Sequence, residues 1–97
     1  MTGIDEQIKD KIIALISALL PEAKIYLFGS RARGTHGRRS DIDIAVDTGQ
    51  KLPIAVVDEI KSVLEATNMM YTVDVLDFNS VRAEMRQSIL EERIIWK

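Results

Sequence analysis

Ile25-Tyr26-Leu27-Phe28-Gly29-Ser30-Arg31-Ala32-Arg33-Gly34, followed by Ser40-Asp41-Ile42-Asp43-Ile44, is the stretch that decides how this chain is read. The apolar run 25–28 predicts a strand that ends at Gly29-Ser30, where backbone amides become free to meet an anion. Glycine at that point lets the backbone approach a ligand closely. An arginine-rich loop then leads to a second strand, in which Asp41 and Asp43 stand two residues apart and project from one face. Two carboxylates so placed can share divalent metal. Magnesium held by carboxylates and substrate phosphates is the usual partner of a nucleoside triphosphate, and paired ions about 3.5 to 4 Å apart clamp an in-line displacement. The stretch therefore predicts phosphoryl chemistry.

Strand parity sorts the remaining carboxylates. In the second strand, expected over 41–47, Ile42, Ile44 and Val46 take the core face and leave Asp41, Asp43, Ala45 and Asp47 on the other. Asp47 lies too far along to join the first pair. A third strand is expected over 71–76, where Asp74 shares a face with Thr72 and Leu76. Asp74 is flanked by valines in a strand that reads as buried, and an uncompensated charge there calls for a metal or cation partner. Asp77 has the parity of Val73 and Val75 and reads as a helix-initiating or loop residue.

Around these strands the apolar spacing is helical. Ile8, Ile12, Leu15, Ile16 and Leu19 predict an amphipathic helix over 4–20, closed by Pro21. The first strand follows at 24–28, and Ser30 to Gly34 reads as a helical turn. Pro53 opens another helix, with Val56, Val57, Ile60, Val63 and Leu64 as its buried stripe and an end near Asn68. Asn79 or Ser80 is expected to cap a last helix whose apolar face is Val81, Met85 and Ile89. Ile94-Ile95-Trp96 reads as either a final helical turn or a short strand, and Trp96 as either core or partner surface. The fold class is α/β (α+β), a mixed sheet packed by helices.

Composition narrows the function. A chain of 97 residues without repeats predicts one domain, 1–97, with a modest core and no second lobe for an acceptor. Hydrophobic residues make up 46% and charged residues 29%, which is ordinary for a globular domain, and no apolar run approaches the roughly 18 residues of a membrane span. The acidic, polar start Met1-Thr2-Gly3-Ile4-Asp5-Glu6 lacks the form of a secretory signal, so a cytoplasmic location is expected. A net charge of -2 and a pI near 5.3 argue against a general nucleic-acid binder. Arg31, Arg33, His36, Arg38 and Arg39 nevertheless fall within nine residues beside the Gly-Ser turn, a local basic loop suited to one triphosphate. Of these, Arg38 and Arg39 read as solvated loop and His36 as exposed and idle. The absence of cysteine excludes disulfides and thiolate metal sites.

The order of apolar strand, Gly29-Ser30, Arg33-Gly34 and Ser40-Asp41-x-Asp43 resembles the minimal nucleotidyltransferases of the DNA polymerase beta-like superfamily. A lone Asp-x-Asp is a weak signal, but joined to Gly-Ser eleven residues earlier it is specific. That family carries a third carboxylate on a later strand, which Asp74 supplies, and it commonly pairs with HEPN-domain proteins in prokaryotic toxin–antitoxin modules. The resemblance implies AMP transfer from ATP to a hydroxyl, a tyrosine, on a HEPN-type ribonuclease, which silences that toxin. It assigns Asp41 and Asp43 to two Mg²⁺ ions and Asp74 to the ion that activates the acceptor. Gly29 and Ser30 would hold the β and γ phosphates, with Arg33 and Ser40 in phosphate contact. The family often has a glycine before its last apolar stretch, where this chain runs Glu91-Glu92-Arg93 into Ile94. Two other classes stay open at this point: a module that neutralises its partner by contact alone, and a subunit modifying a small molecule as the aminoglycoside nucleotidyltransferases do. Self-association is also left open.

Overall fold

The computed structural model describes residues 6–35, 37, 40–67 and 70–97. They fold in the order α1 (Glu6–Leu19), β1 (Lys24–Phe28), α2 (Ser30–Arg33), β2 (Ile42–Asp47), α3 (Ile54–Ala66), β3 (Val73–Asp77), α4 (Ala83–Glu92) and β4 (Ile94–Ile95). The strands form one mixed sheet in the order β3-β2-β1-β4. β1 pairs antiparallel with both β2 and β4, while β2 and β3 run parallel, joined across the sheet by α3. A parallel pair needs such a crossover. The expectation of a mixed sheet packed by helices is met.

Alternation along the strands gives the sheet two different faces. Ile25 and Leu27 of β1, Ile42, Ile44 and Val46 of β2 and Val75 of β3 point to one side, where Ile12 and Ile16 of α1 and Ile60 and Leu64 of α3 cover them. Each fully buried aliphatic side chain contributes about 1.5–3 kcal/mol, so this layer carries most of the stability. The other side is thinner: Tyr26, Phe28, Ala45, Phe78 and Ile89 form a second, smaller cluster beneath α4. Register then places Phe28 opposite Asp43 and Asp43 opposite Asp74, at the edge of this second face. Polar residues at that end are left uncovered because α4 supplies only Ile89 as a buried side chain.

Several expected boundaries shift for identifiable reasons. The expected start at residue 4 and the end near Asn68 lie outside the described residues; α1 is described from Glu6 and α3 closes with Thr67 at its C-cap. Pro53 stands at the cap of α3, one residue before the helix, with its carbonyl receiving the Val56 and Val57 amides. β3 starts at Val73, later than the expected 71, although the Thr72 carbonyl still accepts the Ile42 amide. Neither Asn79 nor Ser80 caps the last helix. Arg82 occupies the cap position of α4, and Asn79 and Ser80 serve Asp77, which accepts the Asn79 amide (3.0 Å), the Ser80 hydroxyl and the Leu52 amide (2.7 Å). Asp77 is thus a buried strand end that closes a turn, and it starts no helix. Val81 stays outside the helix and packs on the smaller cluster, and Met85 is exposed.

The open alternative at 94–96 resolves as a strand, with Tyr26 opposite Ile95 and Leu27 opposite Ile94. Trp96 packs against the larger core, and its amide donates to the Ile25 carbonyl. No glycine is needed before this stretch. Arg93 leaves α4 in an extended conformation (φ -60°, ψ 148°) that any residue adopts.

Candidate functional site

Gly29 sits where β1 turns into α2, at φ 77° and ψ -158°, a region open essentially only to glycine. A Cβ there would overlap the Asp43 carboxylate, so the turn brings bare backbone against the carboxyl group of the neighbouring strand. α2 is a single turn, closed by Gly34 in the left-handed conformation with its amide on the Ser30 carbonyl. The Gly29 amide donates to Glu92 Oε1 (3.0 Å), and Arg33 Nη1 donates to Glu92 Oε2 (2.8 Å). One carboxylate, at the end of α4, therefore holds two of the groups that the sequence assigns to a phosphate. Arg33 is half exposed at this contact.

The two arginines of α2 separate in function. Arg31 turns inward, is 2% exposed, and delivers Nε and Nη2 to the Ser40 carbonyl at 3.1 and 2.9 Å. Its guanidinium carbon lies 4.8 Å from the centre of the Tyr71 ring. It is therefore no part of an open basic loop, and His36, Arg38 and Arg39 lie outside the described residues. Ser40 turns its Oγ back on the loop, where it accepts the Gly37 amide (2.8 Å).

Asp41 lies exposed just before β2, Asp43 is half-buried within it, and Asp74 is exposed on β3. β3 is an edge strand, so burial does not compel a cation at Asp74 as the run of valines implied. Register gives the stronger reason: Asp74 stands directly beside Asp43 in a parallel pair. Partial burial first, then the neighbouring Asp74 and Asp41 carboxylates, raise the Asp43 carboxyl above the ordinary range, with Arg33 opposing. These groups repel one another, yet among the described residues no three of them are gathered closely enough to grip an ion as they stand. Asp47 belongs elsewhere, as its distance along β2 predicts. Burial alone would raise it, but hydrogen bonds from Asn79, the Gly49 amide and Tyr26, with the Lys24 charge, outweigh burial and hold it below the ordinary range.

Sequence reasoning missed Glu92, since nothing in local spacing ties it to Gly29, 63 residues away. It also missed the inward turn of Arg31, although a spacing of two on a helix puts Arg31 and Arg33 on different sides. A cavity of about 280 Å³ between α3 and the far end of β3 is lined by residues that include Leu52, Ile54, Lys61, Val75, Ser80 and Val81, and by none of Gly29, Arg33, Ser40, Asp41, Asp43 or Asp74.

Four similarities bear on this arrangement. The protein adenylyltransferase MntA of Shewanella oneidensis is 35% identical over 85 residues, spanning 87% of this chain and 60% of the relative. A crystal structure of a toxin–antitoxin with AMP-PNP superposes with a TM-score of 0.78 at 33% identity, covering 92% of this chain and 72% of that one. The MNT antitoxin in complex with a tri-AMPylated Shewanella oneidensis HEPN toxin matches with a TM-score of 0.74 at 26% identity, over 97% of this chain and 72% of the other. Residues 10–97 match the polymerase beta nucleotidyltransferase family. With a mixed four-stranded sheet, a glycine turn against Asp43, and Asp74 in register beside it, the chain belongs to that family.

Proposed function

We propose that this chain transfers AMP from ATP to a hydroxyl, a tyrosine, of a HEPN-type partner toxin in the cytoplasm, and so acts as its antitoxin. The observation that carries the reading is the register of Asp74 beside Asp43 on the strand next to Gly29, in a chain similar to named protein adenylyltransferases. The acceptor oxygen forms a bond to the α-phosphorus as the bond from that phosphorus to the β-bridging oxygen breaks. Pyrophosphate leaves, and Asp74 accepts the hydroxyl proton. Gly29 and Ser30 would bind the β and γ phosphates, with Arg33 adding charge and Ser40 a further contact, once the triphosphate displaces Glu92 from the Gly29 amide and Arg33. The donor set fits Mg²⁺: three carboxylates without nitrogen or sulfur ligands, one of them raised by burial and by its carboxylate neighbours. Asp41 and Asp43 would hold two such ions and Asp74 one of them, which supply neutralisation of the triphosphate and of charge on the leaving group.

Incubation of a HEPN-type partner with this chain and Mg-ATP tests the reading by mass spectrometry. The expected product is the partner carrying added AMP at a tyrosine, with label arriving from α-labelled ATP. Label from the γ position makes the chain a kinase and overturns the mechanism. Contact-only neutralisation has one observation in its favour, the capture of the Gly29 amide and Arg33 by Glu92. Asp74→Asn separates the two: removing the acceptor-activating carboxylate should slow transfer by about 10²–10⁴-fold while ATP binding persists. If cells carrying this variant survive the toxin as well as those with the unaltered chain, neutralisation is by contact.

A further inference from the structure

Arg31 is the most buried cation described, at 2% exposure in a small domain. Burying a guanidinium is costly unless its donors are satisfied, so the place where they go carries information. Nε and Nη2 both converge on one atom, the carbonyl oxygen of Ser40, at 3.1 and 2.9 Å. That carbonyl belongs to the peptide bond joining Ser40 to Asp41, with Asp43 two residues further on. The flat face of the same guanidinium lies 4.8 Å from the centre of the Tyr71 ring. Directly after Tyr71, the Thr72 carbonyl takes the Ile42 amide (2.9 Å), and Asp74 follows two residues on. One side chain on α2 thus touches both approaches to the carboxylates: the peptide entering β2 and the residue leading into β3.

We propose that Arg31 is the positioning residue of the carboxylate group, fixing the Ser40–Asp41 peptide and the Tyr71 approach so that Asp41, Asp43 and Asp74 can close on a divalent cation. This rests on the nucleotidyltransferase reading above and adds to it a residue that touches neither ATP nor metal. Its action is geometric. Arg33 is the cation that faces Asp43 electrostatically, whereas Arg31 gives Nε and Nη2 to a backbone carbonyl. A planar fork can deliver two N–H groups to one oxygen while stacking on a ring. A lysine keeps the charge and loses both properties.

The test reads cation binding directly. Mn²⁺ is titrated into the chain with AMP-PNP present, and free Mn²⁺ is followed by electron paramagnetic resonance. Arg31→Lys should raise the Mn²⁺ dissociation constant about 10–100-fold, the range typical when a residue that orients metal ligands is lost. Tyr71→Leu, which keeps an apolar platform but no ring, should raise it about threefold and covers the case in which Arg31→Lys fails to fold. Tyr26→Phe is the control: it removes the hydroxyl bonded to Asp47 (2.9 Å), at the opposite end of β2, and should lower the melting temperature with the dissociation constant unchanged. If Arg31→Lys and Tyr71→Leu bind Mn²⁺ as the unaltered chain does, or if Tyr26→Phe weakens binding equally, the assignment to Arg31 is wrong. If the unaltered chain binds no better than Asp43→Asn, the nucleotidyltransferase site itself is wrong, and the inference falls with it.

Discussion

Asp43→Asn is expected to silence AMP transfer, by about a thousandfold, and at the same time to make the metal-free chain harder to melt at neutral pH. The two effects share one cause. Partial burial, then the Asp74 and Asp41 carboxylates, raise the Asp43 carboxyl above the value it has in an unfolded chain. The folded state therefore holds this proton more tightly than the unfolded state does. Asp43's contribution to stability is fully present at acid pH, below the ordinary carboxylate range, and is lost as pH rises through the raised value. At neutral pH without divalent cation the ionised group opposes folding. Asparagine removes the charge and keeps the shape. Thermal melts in EDTA should show a higher midpoint for Asp43→Asn at pH 7 and a difference that shrinks toward pH 4. A variant that retains unaltered turnover, or that melts lower in EDTA across this range, would refute the placement of Asp43 among mutually repelling carboxylates.

Gly29→Ala is expected to do the opposite to stability and the same to catalysis. Two independent penalties meet at this residue. Its backbone angles, φ 77° and ψ -158°, cost a residue with a side chain roughly 1–3 kcal/mol, and the new methyl would also collide with the Asp43 carboxylate. At about 4–8 °C per kcal/mol for a domain of this size, the melting point should fall by roughly 5–20 °C. Transfer should be lost even at temperatures where the variant is fully folded, because relief of the collision moves either the turn or Asp43. Gly49→Ala separates strain from site: Gly49 also has positive φ (85°), but its added Cβ meets nothing within 4 Å. It should therefore lower stability and leave turnover intact. Equal turnover in the two alanine variants would refute a role for the Gly29 approach.

The parts of this molecule legible in its sequence are those fixed by neighbours along the chain. The period-two pattern of 42–47 gave the faces of β2 and grouped Asp41 with Asp43, while distance along the strand set Asp47 apart; the register then brings Asp74 beside Asp43. Pattern alone could not say that β3 lies at an edge, because a run such as Val73-Asp74-Val75 reads the same whether one or both flanks are paired. The exposure of Asp74 was misjudged for that reason. Asn79 and Ser80 are good cap residues, but the turn after β3 commits the Asn79 amide and the Ser80 hydroxyl to the buried Asp77, since an unsatisfied buried carboxylate is costly, and the helix starts later, after Arg82. Glu92 was invisible because only tertiary folding brings α4 to the Gly29 turn.

The placement of β4 has a consequence for how the protein is made. β1 is an inner strand, yet the neighbour on its far side is supplied from the other end of the sequence: Ile95 pairs with Tyr26, and the Lys97 carbonyl accepts the Ile25 amide. Glu92, which braces the Gly29 amide and Arg33, arrives in the same segment. A ribosome that has delivered residues 1–80 has released every aspartate of the site, but the chain still shows an open β1 edge and an unbraced turn. Contacts so distant in sequence form late and slowly. Until they form, the bare edge of β1 can recruit other strands. A chain that carries Asp41, Asp43 and Asp74 but not yet residues 92–95 therefore has the aspartates of its site and an unfinished sheet.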